Sequence, residues 1–194
     1  RQECGVAGDG PTSVTNQVGV LKKIVDRTSR AWIDIQTARP YWKFMRNQFQ
    51  WQTDIGVREY SVVNDLALLT CDKFDRKNTF LYLTSTDDEK ELTWYSYDHF
   101  RNRIRTYPSG RPTIITESPG RKLAFNTTPD AVYTLTMDYW MTPEKLQNNT
   151  DVPSIPEHFH DVIVWKAVMM FAGHEGATDL YAYAKSQYSP LYTQ

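Results

Sequence analysis

The sequence predicts an α+β fold, a bundle of long terminal helices (one N-terminal, two C-terminal) with an inserted β-rich lobe that contains a short helix. Three observations carry this. From Val162 to Ala172 the only polar residue is Lys166, so this helix is apolar around nearly its whole circumference and must be covered on all sides. Near the start of the chain, apolar residues recur at three- and four-residue spacing up to Ala38, the period of an amphipathic helix. Between these helical ends lie short alternating runs broken by Gly, Pro and Asp, the pattern of strands and turns. The expected division is 1–40 with 154–194 as a helical core and 41–153 as the inserted lobe, since terminal helices enclosing a β lobe is the simplest assembly of that order.

The first helix is expected from Thr15 or Asn16 to Ala38, after the Gly- and Pro-rich loop CGVAGDGPTSV. Its apolar face is Val18, Leu21, Ile24, Val25, Thr28, Ala31, Trp32 and Ile35, and Pro40 stops it. On the other face, Lys22 and Asp26, and Asp26 and Arg30, lie four apart and suit surface pairing. Phe49 and Trp51 alternate with polar residues as in a half-buried strand, and the turn Asp54-Ile-Gly56 followed by Val57 to Val63 reads as a hairpin with it. Leu66 to Thr70 is a short apolar run, and Thr79 to Thr84 and Glu91 to Tyr95 continue the β signal. Ser96 to Tyr107 fits a short helix whose apolar face is His99, Phe100, Ile104 and Tyr107. Strands follow at Pro112 to Thr116, Lys122 to Asn126 and Ala131 to Met141. A polar connection, Pro143 to Pro156, leads into two helices from Ser154 to Leu191, bracketed by Gly173 and Gly176, the second running from Ala177 to about Tyr188.

Length and charge limit what the chain does. Its 194 residues suffice for a sizeable core. With 22 basic and 23 acidic residues, it lacks the basic excess of a protein that grips nucleic acid. Aromatic residues make up 13%, including 6 Trp and 12 Tyr, an excess that suits either a large aromatic core or surfaces dry on one side and hydrogen-bonded on the other. Cys4 and Cys71 are too few for a disulfide framework and lack metal-ligand spacing, which points to a reducing interior or to indifference to redox. No apolar run is long enough to span a bilayer and no signal peptide is recognisable, so a soluble protein is expected. Because the chain opens on Arg1 and not Met, a few residues are expected to precede it. The acceptor patterns at Asn126 and Asn148 are read as chance.

Candidate chemistry is sparse. His158, His160 and His174, with Glu157, Asp161 and Glu175, are the nearest approach to a metal cluster. His158 and His160 are two apart at a helix start and point in different directions, and Gly173-His-Glu-Gly176 is not a zincin pattern, so cap and turn roles are favoured over a metal site. There is no nucleophile elbow and no phosphate-binding glycine loop, since Gly5 to Gly10 has no preceding strand and no Gly-Lys-Ser/Thr ending. No catalytic residue and no cofactor is expected. The one charge cluster, Arg101, Arg103, Arg105 and Arg111 with Tyr107 interleaved, reads as a solvated face, with contact to phosphates or an acidic partner as the competing reading.

Four stretches, in this order and spacing, resemble the head-to-tail adaptor, or connector, proteins of tailed bacteriophages. They are Gly8-Asp-Gly-Pro-Thr-Ser-Val14 before the helix VGVLKKIVDRTSRAWIDIQTAR, then Tyr41-Trp-Lys-Phe-Met45 with Asp54-Ile-Gly-Val-Arg-Glu-Tyr60, then Asp138-Tyr-Trp140 before Pro153 to Pro156, and the closing IPEHFHDVIVWKAVMMFAGHEGATDLYAYAKSQYSPLY. Together they cover nearly all of the chain from Gly8. The resemblance implies a non-enzymatic virion protein at the capsid vertex, assembled in the host cytoplasm. It implies a ring, commonly of twelve copies, that binds the portal protein, presents a docking surface to the tail tube or nozzle protein, and continues a channel through which double-stranded DNA passes without specific binding. No membrane is involved.

Mapped onto this chain, the resemblance makes Arg27, Arg30, Asp34, Trp165, Met169 and Met170 subunit-interface candidates, with Val162 filling the space between helices. Tyr188, Pro190, Leu191 and Tyr192 become the end that reaches the portal; the cluster Arg101, Arg103, Arg105 and Arg111 is not part of the family pattern and is a separate candidate for contact with the tail or the DNA channel. The competing expectations are a small metal-dependent hydrolase using His158, His160 and His174, and a monomeric tail-associated binding module.

Overall fold

The structure is a computed structural model that describes residues 11, 13–39 and 41–192. The chain is α+β, with four helices and two four-stranded sheets among the described residues. It divides into two compact units: Arg1–Met45 with Pro143–Gln194, and Arg46–Thr142. The boundaries therefore lie at the strand ends and not at Pro40 and Ser154. The aromatic segment 41–45 and the connection 143–153 belong to the helical unit. Cys4, the Gly5 to Gly10 loop and Pro40 lie outside the described residues.

In the helical unit, α1 (Gly19–Ala38) starts later than its periodicity suggests. Asn16 and Gly19 both have left-handed φ, 59° and 60°, so a right-handed helix cannot run through them. Val18 supplies no side-chain cap. The expected apolar face is buried only in its second half, at Ala31, Trp32 and Ile35, joined by Gln36, while Val18 stays 80% exposed. After a 3-10 turn at Glu157–Phe159, α3 (Asp161–Glu175) packs on α1 through Val162, Ile163 and Ala167. Gly176, at φ 70°, closes α3 and its N–H reaches the Ala172 carbonyl, a left-handed cap that favours glycine.

The fourth helix, α4 (Thr178–Tyr192), covers another side of α3 and buries Ala184 completely. It continues past Pro190 to Tyr192, beyond the end expected at Tyr188. Proline removes only one donor so near a helix end, and the rings of Tyr188 and Tyr192 stack one turn apart at 5.1 Å. On the surface of α1, Lys22 pairs with Asp26 at 2.8 Å as expected, but Arg30 reaches Asp34 at 3.4 Å.

The second unit is built from β1 (Arg46–Gln52), β2 (Glu59–Ser61), β3 (Cys71–Leu83), β4 (Asp88–Glu91), β5 (Thr93–Trp94), α2 (Tyr97–Arg103), β6 (Ile114–Ser118), β7 (Lys122–Phe125) and β8 (Thr134–Met141). The sheet orders are β1-β8-β3-β4 and β2-β7-β6-β5. Both sheets feed one core, in which Leu81, Leu135 and Met137 meet Ile115, Leu123 and Phe125. Among the described strands the β5–β6 pair is parallel and the others are antiparallel, with one further isolated parallel bridge, Ser109 to Thr128.

The expected hairpin of β1 with β2 does not form. β1 pairs with β8, Trp51 opposite Leu135, and β2 pairs with β7. Buried Thr53 prolongs the β1–β8 ladder: its N–H donates to the Tyr133 carbonyl at 2.9 Å and its hydroxyl accepts from the Tyr133 N–H at 3.0 Å. The strand expected from Thr79 starts at Cys71, because a bulge between Phe74 and Thr79 carries the polar run Asp75 to Asn78 outside the β8 ladder. Leu66 to Thr70 forms turns whose Leu66 and Leu68 are buried while Leu69 is exposed. The short helix α2 is capped by Ser96, whose hydroxyl accepts from the His99 N–H at 3.4 Å, and ends at Arg103.

Candidate functional site

The helical unit is organised by a row of rings that begins inside α1 and ends at the last turn of α4. Trp32, fully buried, stacks on Phe44 at 5.7 Å; Phe44 stacks on Trp42 at 5.6 Å; Trp42 meets Tyr192 edge-on at 5.8 Å; and Tyr192 stacks on Tyr188. The Trp42 indole N–H donates to the Ile35 carbonyl at 2.9 Å, which fixes the aromatic segment to the end of α1. Phe44 lies in a 3-10 turn, Lys43–Met45, directly after Trp42. Burial pushes the Tyr188 phenol up to about 12, assisted by neighbouring Tyr192.

A polar latch sits beside this row, and sequence reasoning missed it. The buried side chain of Gln36 pairs with the backbone of Glu144, donating to its carbonyl and accepting from its N–H, both at 2.9 Å. The Glu144 carboxylate in turn accepts from the Trp32 indole at 3.2 Å and from the Ser154 N–H at 2.7 Å. The signal available was Gln36 itself, a polar residue four after Trp32 and therefore on the same helix face.

The sequence-predicted interface residues separate into different environments. Met170 packs against the α1–α3 core, and half-buried Trp165 meets Tyr183 of α4 edge-on at 5.6 Å. Met169 is half-buried, Arg27 is half-buried on α1, and Arg30 is paired with Asp34. Lys23 ties α1 to Glu175 at the end of α3 at 3.1 Å. The large apolar side chains of α3 and α4 left exposed among the described residues are Val164, Tyr181 and Tyr183, by 39%, 41% and 54%. Tyr188, Leu191 and Tyr192 lie in α4 and pack back onto the helical core, while Pro190 is exposed.

The arginine cluster divides as well. Arg101 and Arg103 are on α2, and Arg105 lies just beyond it; all three are exposed. Arg111 turns into the β unit: it bonds the Leu81 carbonyl at 2.6 Å and the Asp88 carbonyl at 3.0 Å, forms an ion pair with the Asp88 carboxylate, and lies 5.7 Å from the Tyr133 ring. It therefore serves the sheet, not a shared basic face. Arg101 lines a cleft of about 310 Å3 with Arg58, Lys122, Tyr97 and Tyr107, and Arg58 sits 3.8 Å over the Tyr107 ring.

The histidines are not a group. His160 precedes α3 and bonds the Ile155 carbonyl at 3.0 Å, whereas His174 lies at the far end of the helix. Fourteen residues of helix put them about 21 Å apart, too far to share a metal ion or one reacting centre, which counts against the hydrolase reading. His158 packs on Phe159 at 4.1 Å. Among the described residues no cluster of three His, Cys, Asp or Glu suits a metal ion, and no helix is long and apolar enough to cross a membrane. In the β unit, burial pushes the Cys71 thiol up to about 11 even with Arg121 nearby, so it is a protonated core side chain at neutral pH.

These surfaces offer aromatic stacking, exposed tyrosines and cationic rims, which is recognition chemistry. No curated protein matches the chain. The SU10 adaptor protein family matches it over residues 7–193, spanning the helices, the aromatic segment and both sheets. The chain therefore belongs to the SU10 adaptor protein family, a family of phage head-to-tail adaptors.

Proposed function

We propose that this protein is a structural subunit of a ring, commonly of twelve copies, that joins the portal at the capsid vertex to the tail tube or nozzle and continues the DNA channel. The observation that carries the reading is the family match along almost the entire chain. As a member of a structural phage family the protein acts by assembly, through contacts with portal and tail proteins. The helices form the side-by-side core of the ring and the β unit is the lobe that reaches adjacent proteins. Exposed Val164 and the Trp165–Tyr183 ring pair suit a subunit contact, since interface cores are enriched in Tyr and Trp. Arg27 and Met169 border the ring contact, and the end of α4 faces the portal. The formal net charge of −1 suits a channel that lets DNA slide, with exposed Arg101, Arg103 and Arg105 on the tail or channel side.

Mass photometry and negative-stain imaging of the purified chain, alone and mixed with its cognate portal, test this. Rings, or a discrete complex that forms only with portal, are expected. A monomer that persists at micromolar concentration and ignores the portal overturns the reading and leaves a monomeric tail-associated module.

A further inference from the structure

The helical unit carries an open groove of about 480 Å3, within the range of ligand-binding clefts. Its walls come from the end of α1, the aromatic segment, the stretch before α3 and the end of α4, and they include Trp42, Phe44, Ile155, Phe159, Leu191 and Tyr192. Two cations, Arg39 and Lys43, stand at the rim of this apolar trough. The Arg39 guanidinium lies 5.3 Å from the Trp42 ring centre and 4.6 Å from that of Tyr192. Ring contacts use the face of a guanidinium and leave its five in-plane donors unused.

In the helical unit, Lys22 pairs with Asp26, Lys23 with Glu175 and Arg30 with Asp34. Arg39 and Lys43 have no such carboxylate among the described residues. Between them, Tyr41 holds a left-handed φ of 69° while 52% exposed, a strained backbone of the sort that concentrates at binding sites. Arg, Trp and Tyr are also the residue types that dominate protein–protein hot spots. An apolar trough with unpaired positive charge at one rim therefore complements a side chain that is bulky and apolar next to one that is acidic.

We propose that this groove docks a peptide segment of a partner protein that presents a bulky apolar side chain with a carboxylate one to four residues away. The apolar group enters between Trp42, Phe159 and Leu191, and the carboxylate takes the Arg39 donors with Lys43 beside it. The end of α4 is then one wall of a receptacle. The inference goes beyond ring assembly and rests on the groove alone.

The test titrates the full chain, by fluorescence anisotropy, with labelled decapeptides that pair Leu, Phe or Trp with Asp or Glu at each of those spacings. A matched panel carries Asn or Gln instead. Acidic members should bind at micromolar concentration and their amide counterparts about tenfold more weakly or worse, as expected for loss of a charge-assisted hydrogen bond. Arg39→Gln should weaken acidic peptides by a similar factor and leave the amide peptides unchanged. Because the acid-to-amide comparison is made on the peptide, it does not depend on how that variant folds.

Failure of every peptide at millimolar concentration, or equal binding of acid and amide, overturns the proposal. So does self-association of the chain that Arg39→Gln abolishes while no peptide binds, which would make a second copy the occupant. Rings that form with portal while the panel fails would overturn this inference alone.

Discussion

Glu144 shows how much of the helical unit rests on one side chain outside any helix. Its carboxylate is an acceptor for the indole N–H of Trp32, a residue with no solvent exposure, and for the N–H of Ser154. Removing an acceptor strands a buried donor at a cost of about 1–3 kcal/mol. Glu144→Ala is therefore expected to lower unfolding stability by about 2 kcal/mol, read as a lower urea midpoint with unchanged m. Glu144→Gln keeps an amide oxygen in place and should lose less than half of that. Equal losses for the two variants would mean that the side chain acts by packing and not by accepting. In the sequence Glu144 sits in a polar, Pro-bearing connection and looks like loop. Its role depends on Gln36 lying 108 residues earlier, and nothing in local composition reports such a partner. Trp42 and Phe44, which line the groove, were equally hidden: the sequence put them at the entry to the β lobe, and only their contacts with Trp32 and Tyr192 assign them to the helical unit.

At the scale of elements, the all-apolar pattern of α3 demanded neighbours on every side, and α1 and α4 supply two of them. Val164 of α3 and Tyr181 and Tyr183 of α4 remain exposed. Within one chain, Val164→Lys is an exposed substitution and should change stability by no more than about 0.5 kcal/mol. In a ring whose subunits meet on this face, it places a charge in an interface core. The expected outcome is an unchanged thermal unfolding midpoint with loss of rings in mass photometry; rings that persist would move the subunit contact elsewhere. Helices and strand positions were largely readable because each is a local period. Pairing was not: β1 alternates as expected, but its partner β8 lies over 80 residues away, whereas the turn Asp54 to Gly56 suggested the nearer strand. The bulge hid the first half of β3 for the same reason, since a polar excursion inside one strand looks like a turn until its partner is known.

For the whole molecule, the charged groups define a pH window. Asp151 is held below its ordinary value by the N–H groups of Gln147 and Asn148, and Glu175 by Lys23. For Asp88, burial pushes upward but hydrogen bonds from Lys90 and Arg111 outweigh it, so it too is lowered. A carboxylate with a lowered folded pKa contributes stability that is present above its unfolded value and is lost as pH falls through the folded one. The loss therefore sets in below about pH 4. At the other limit, burial pushes the phenol of Tyr133 up to about 12, helped by its hydrogen bond to Asp130, and burial does the same at Tyr188. Groups with raised pKa contribute stability that is complete below their ordinary value of 10.0 and is lost as pH rises through about 12. Urea midpoints measured across pH should thus form a plateau from about pH 5 to 9 and fall on both sides. Absorbance at 295 nm should show a fraction of the tyrosines ionising late in the folded chain and normally in urea. Tyr133→Phe removes one of those phenols and should make the alkaline fall shallower. An alkaline limb unchanged by that substitution would mean that Tyr133 does not carry the loss, and the next group to replace would be Tyr188, whose ring also closes the aromatic row in the helical unit.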